Sequence, residues 1–139
     1  MGTLRSIIFY TAWALWTALF GLAIPFLWVS RSPPKIVRLL SRCWARGILS
    51  LLSVIVGLKY VFRDGECIPS GPSLIISNHQ SMWETLAALV LFPDVAIVAK
   101  RELLRIPVMG WYLRHSPMII INRDAAANAL RQMVDQSRP

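Results

Sequence analysis

The sequence predicts an α/β domain carried behind membrane-anchoring and interfacial helices. Three observations predict it. Ser6 to Ser30 are 25 consecutive uncharged residues, enough for a helix to cross a hydrocarbon core of about 30 Å. Further on, apolar runs of strand length alternate with helix-patterned segments, the arrangement of an α/β sheet. The charges are also unevenly divided. Residues 1–63 carry eight Lys or Arg and no acid, whereas residues 64–139 carry seven of each sign. The basic excess therefore belongs to the apolar half, which points to anionic headgroups rather than nucleic acid.

Two regions follow from this division, anchoring and interfacial helices over 1–59 and an α/β domain over 60–139. In the first apolar run Trp13 and Trp16 lie inside, and Tyr10 and Trp28 suit the two membrane interfaces. Pro25 falls in its last third. The run is too long for a signal peptide and no small-x-small cleavage site follows it, so it reads as a retained anchor. Arg31, Lys35, Arg38, Arg42 and Arg46 come next, against Arg5 and the amino terminus on the other flank. The positive-inside rule then expects the N-terminus outside and everything after residue 31 in the cytoplasm.

Ser32-Pro33-Pro34 breaks the chain before a second helix near Lys35. Its cations recur at steps of three and four and so form one stripe. The expectation is a helix lying along the interface, with that stripe toward lipid phosphates. Gly47 to Leu58 are twelve uncharged residues, too few to span alone and expected to dip into the leaflet or pack on the first helix. Cys43, beside Trp44 in this apolar helix, reads as packing. With Cys67 it makes neither a disulfide framework nor a metal cluster.

From Tyr60 the pattern changes. Tyr60–Arg63, Leu74–Ser77, Val95–Ala99 and Pro117–Asn122 read as strands, with a turn at Asp64-Gly65-Glu66. Helices are expected from Ser81 through Val90 and, capped by Asp124, over Ala125–Val134. Another element starts at Lys100–Leu104 and is interrupted by Pro107 and Gly110. These elements are too few to close an α/β sheet, so the architecture is expected to be unfinished at Pro139.

The stretch with most chemistry is Asn78-His79-Gln80-Ser81-Met82-Trp83-Glu84. Imidazole exchanges a proton near neutral pH, and a carboxylate on its other nitrogen fixes the tautomer and stabilises the imidazolium. Five residues along a regular helix is about 140° of rotation. His79 and Glu84 therefore meet only if His79 lies in a turn and Glu84 in the first helical turn. Ser81 to Glu84 also spells a capping box, in which Glu84 reaches back to the Ser81 amide. Spacing alone does not choose between the two. His115 has no carboxylate nearby in sequence and reads as a surface or packing residue. No metal site is expected, since His79, His115 and Glu84 lack ligand spacing.

Asn78-His79-Gln80-Ser81-Met82-Trp83-Glu84, Lys100-Arg101-Glu102-Leu103, Pro107, Gly110-Trp111 and Ile121-Asn122-Arg123 together resemble the glycerolipid acyltransferases, in their bacterial 1-acylglycerol-3-phosphate branch. The resemblance covers roughly residues 60–135. It implies that His79 takes the proton of a lysophospholipid hydroxyl as that oxygen attacks an acyl thioester, while Glu84 holds the imidazole. It implies that Arg123 binds the acceptor phosphate as a planar fork. Lys100 and Arg101 are secondary candidates, and Asn78 would orient the turn. No cofactor is expected beyond acyl-CoA or acyl-carrier protein as donor. The resemblance also implies phosphatidate as product and a bacterial inner membrane, with the catalytic part facing the cytoplasm. Glu84 departs from the family's aspartate, and the family's later motifs do not appear after Arg123. The chain thus looks like the N-terminal half of such an enzyme. The alternatives are another lyso-lipid acceptor, or an inactive membrane-anchored binding module.

Overall fold

In the computed structural model, residues 2–61, 63, 65, 68, 71–92 and 94–121 are described. Helix α1 covers Gly2–Val29 and continues through Pro25. It stops in a Schellman turn: Ser32 N–H donates to the Leu27 carbonyl and Arg31 N–H to that of Trp28. Arg31 takes the left-handed conformation there, at φ 45°. Pro34 then opens α2, Pro34–Leu51, at the position where its missing N–H costs least. The 47–58 run is no separate element. It completes α2 and passes into a π-helical turn, Leu52–Val56, that closes on Gly57 at φ 83°.

The two helices form an antiparallel hairpin, and two tryptophans lock it. Trp16 Nε1 donates to the Trp44 carbonyl at 3.1 Å, and Trp44 Nε1 donates to Thr17 Oγ1 at 3.1 Å. The Trp16 ring covers Gly47, where an added Cβ would lie 2.3 Å from it. Trp44 thus packs as expected, whereas Cys43 faces outward as a free thiol. Its neighbours on the helix face the core instead, which leaves position 43 on the other side.

Helix α3, Met82–Leu91, lies against α2. Phe9, Ala45, Ile48, Leu49, Leu86 and Leu89 make the shared core, with Trp83 packed beside it. Each fully buried leucine in such a core contributes about 1.5–3 kcal/mol. The basic stripe is therefore not wholly turned to lipid. Arg38 pairs with Asp94 just beyond α3, and Arg42 Nη2 donates to the Val90 carbonyl at 3.2 Å. Cations at a helix C-terminus also complement its dipole. Lys35 and Arg46 remain exposed.

Strands β1, Val98–Lys100, and β2, Ile119–Ile121, pair in parallel, with Lys100 opposite Ile121. Between them come a 3₁₀ turn, Arg101–Arg105, and α4, Met109–His115. Tyr112 Oη donates to the Phe20 carbonyl at 3.1 Å, so α4 docks on the middle of α1. Gly110 lets α4 start close against the preceding 3₁₀ turn, since an added Cβ would sit 2.2 Å from the Leu104 carbonyl oxygen. Gly110→Ala must displace backbone, and we expect a loss of about 1–3 kcal/mol or more, read as a lower midpoint of thermal unfolding.

Two expected strands are not formed. Residues 73–80 have no regular structure, and Leu74 and Ile76 are 86% and 87% exposed. Among the described residues the sheet has two strands only, so this apolar run has no ladder to join. Tyr60 and Val61 are likewise outside the sheet. The helix expected over Ala125–Val134, Cys67, and the acids of the 64–66 turn lie outside the described residues.

Candidate active site

The N-terminus of α3 realises the capping box. Ser81 Oγ accepts from Trp83 N–H at 3.1 Å. Glu84 folds back over the cap, where its Oε2 accepts from Ser81 N–H at 2.9 Å and from Ser81 Oγ at 3.0 Å. Its Oε1 accepts from Gln80 N–H at 3.1 Å. The same carboxylate faces the histidine. His79 lies in the turn before the helix, with Nδ1 3.9 Å from Glu84 Oε2. That is an ion-pair separation, about 1 Å beyond a charge-assisted hydrogen bond. The His79 side chain is 66% exposed and that of Glu84 26%, so the carboxylate is the fixed partner and the imidazole the one that can adjust. One side chain thus makes the cap and faces the imidazole.

The Glu84 carboxyl is held below its ordinary value. Its own backbone N–H contributes most, partial burial opposes, and the N–H groups of Gln80 and Ser81 with the Ser81 hydroxyl add to the lowering. A group depressed on folding stabilises the fold fully above its unfolded value and loses that contribution as pH falls through the folded one. Protection of the Ser81–Trp83 amides from hydrogen exchange should therefore be constant above the ordinary value of 4.5 and fall only below it. In Glu84→Gln this acid-side step should disappear.

Lys100 ends β1 and Arg101 opens the following turn. Both are exposed, and neither pairs with a carboxylate among the described residues. They stand at the carboxyl end of a parallel strand, where α/β sheets bind ligands. Asn78 is exposed in the turn. Arg123 follows β2 by two residues in sequence and lies outside the described residues. Among those described, no three His, Cys, Asp or Glu side chains cluster as metal ligands. The tie from Arg38 and Arg42 to the far end of α3 was not foreseen. Its signal in the sequence is Asp94, directly after a helix end, with two arginines four apart on the preceding helix.

A sequence model of the family described as Acyltransferase matches residues 59–138. The chain belongs to the acyltransferase family. Within it the chain is 40% identical over 93 residues to a 1-acyl-sn-glycerol-3-phosphate acyltransferase of Pseudomonas aeruginosa, covering 67% of this chain and 36% of the relative. It is 31% identical over 81 residues to the beta form of that enzyme from Homo sapiens, covering 57% and 29%. Against the alpha form from Mus musculus it is 29% identical over 127 residues, 90% of this chain and 42% of the relative. This acyltransferase chain therefore spans about three-tenths to two-fifths of the length of these relatives. No solved structure matches it.

Proposed function

We propose that the chain carries the acceptor-activating part of an acyltransferase that converts lysophosphatidate and an acyl thioester into phosphatidate. The observation that carries this reading is His79, placed in the turn before α3 and facing the carboxylate that caps it. In the reaction the imidazole takes the proton of the acceptor hydroxyl as its oxygen attacks the thioester carbonyl. Collapse of the tetrahedral intermediate breaks the C–S bond, and the imidazolium returns the proton to the departing thiolate. Glu84 stabilises that imidazolium without giving up its hold on the helix. Arg123, with Lys100 and Arg101, would bind the phosphate, and acyl-CoA or acyl-carrier protein would supply the acyl group.

The helical hairpin is the membrane-associating part. α1 and the continuous helix over 34–56 are each long and apolar enough to cross a bilayer. However, Tyr112 of α4 donates to the Phe20 carbonyl, and Phe9, on the same side of α1, joins the core shared with α2 and α3, so that side is covered. The outward face, with Leu15, Leu19, Leu22 and Phe26, is exposed. We therefore favour a hairpin lying with that face in one leaflet and both its ends on the cytoplasmic side, in place of the single crossing expected from the charges.

The test compares acyl transfer from acyl-CoA to lysophosphatidate and to unphosphorylated monoacylglycerol. It uses this chain and the protein extended as far as its reading frame runs. Preference for the phosphorylated acceptor, lost in Arg123→Gln, is the expected result. Equal use of both acceptors would favour another lyso-lipid. Saturable lipid association with no turnover, unaffected by His79→Ala, would favour the binding module.

A further inference from the structure

A cleft lies at the tip of the hairpin, away from His79. Arg38 and Arg42 hold the start of α2 against the C-terminal end of α3, so the turn before α2 sits at the opposite end of α3 from Glu84. A ten-residue helix separates them by about 15 Å. At this tip Leu27, Trp28, Arg31, Val37, Trp111 and His115 line an open cleft of about 530 Å³.

Its polar groups are arranged for an anion. Arg31 occupies the left-handed C′ position of the Schellman turn, where glycine is the usual residue and a side chain costs about 1 kcal/mol or more. Among the described residues Arg31 has no carboxylate partner, and Asp94 is taken by Arg38. The His115 ring stacks on Trp111 at 4.2 Å. Its Nδ1 lies 2.8 Å from the Trp111 carbonyl. A carbonyl only accepts, so Nδ1 carries the proton and Nε2 is left for a ligand. Around Arg31 and His115 the walls are apolar, and they continue into the exposed Phe26, Trp28 and Val29 of α1.

We propose that this cleft binds one anionic phospholipid of the surrounding membrane, its phosphate on Arg31, a headgroup hydroxyl donating to His115 Nε2, and its acyl chain along Leu27, Trp28 and Val37. The proposal rests on the membrane reading of the hairpin only for the source of the lipid. Charge complementarity and the apolar path leading out of the cleft favour a lipid over a free anion. The lipid is a bound neighbour and takes no part in transfer, since the site stands at the wrong end of α3.

Native mass spectrometry in mild detergent tests this, with short-chain phosphatidylglycerol as probe and phosphatidylcholine as its neutral counterpart. The wild-type chain should retain one phosphatidylglycerol. Arg31→Gln should weaken retention by about fivefold, the loss of one cation, and Arg31→Gln/His115→Gln should weaken it further. Arg31→Glu, a change at an exposed position that leaves the fold intact, should abolish it. Arg5→Gln/Arg46→Gln, which removes exposed cations elsewhere, should leave retention unchanged. Equal retention by the tip variants, or equal retention of phosphatidylcholine, would overturn the proposal, as would displacement of the lipid by glycerol phosphate alone. Partition into phosphatidylcholine vesicles, run beside it, separates the two readings. Vesicle binding without a retained lipid sinks the site, whereas a retained lipid without vesicle binding sinks the membrane anchor.

Discussion

We expect His79→Ala to lower acyl transfer by about 10²–10⁴-fold, the usual contribution of a positioned general base, and to leave α3 folded. The separation is possible because the exposed imidazole makes no hydrogen bond that holds the helix. The cap is made by Ser81 and Glu84 alone. Circular dichroism and the thermal midpoint should match wild type, while the rate at saturating lysophosphatidate falls. A variant that lost both helix and activity would mean that His79 is structural.

Gly47→Val opens the hairpin. Any side chain at residue 47 would enter the space of the Trp16 indole, whose nearest atoms lie 2.3 Å from the added Cβ. The ring cannot swing aside without breaking its bond to the Trp44 carbonyl and leaving the core that it shares with Trp44. Ejecting a tryptophan from such a site costs about 3–5 kcal/mol. Because α3 packs on the same face of α2, the loss should reach the active site as well. Denaturant unfolding in detergent should show the midpoint fall, and Gly47→Ala should show a smaller fall of the same kind. An unchanged midpoint in both would mean that the helices pack elsewhere.

Much of the site was legible because local rules set it. Ser81 and Glu84 fix where α3 begins, and that start places His79 in a turn whatever the rest of the chain does. Long apolar runs likewise announced both hairpin helices, and the observed β1 and β2 fall at or next to the expected strands. What the sequence could not show depends on partners distant along the chain. Leu74–Ser77 has strand composition, yet a strand exists only with a neighbour to pair with, and none of the described residues supplies one. Arg38 and Arg42 read as lipid-facing because periodicity reports a stripe and not what lies opposite it. Asp94 and the Val90 carbonyl lie opposite, which only the packing of α3 on α2 reveals. Of the two expectations for 47–58, packing on the first helix is the one observed. Gly47 marks the close approach of Trp16, and the helix runs on through it.

The most direct test of the His79–Glu84 pair is a double-mutant cycle on acyl transfer to lysophosphatidate, with His79→Ala, Glu84→Gln and the double variant. Glutamine keeps the capping geometry and removes the charge that faces the imidazole. If Glu84 acts through His79, the double variant should be no slower than His79→Ala alone, since residues that act as a unit are non-additive. Losses that simply multiply, or full activity in His79→Ala, would contradict the pair.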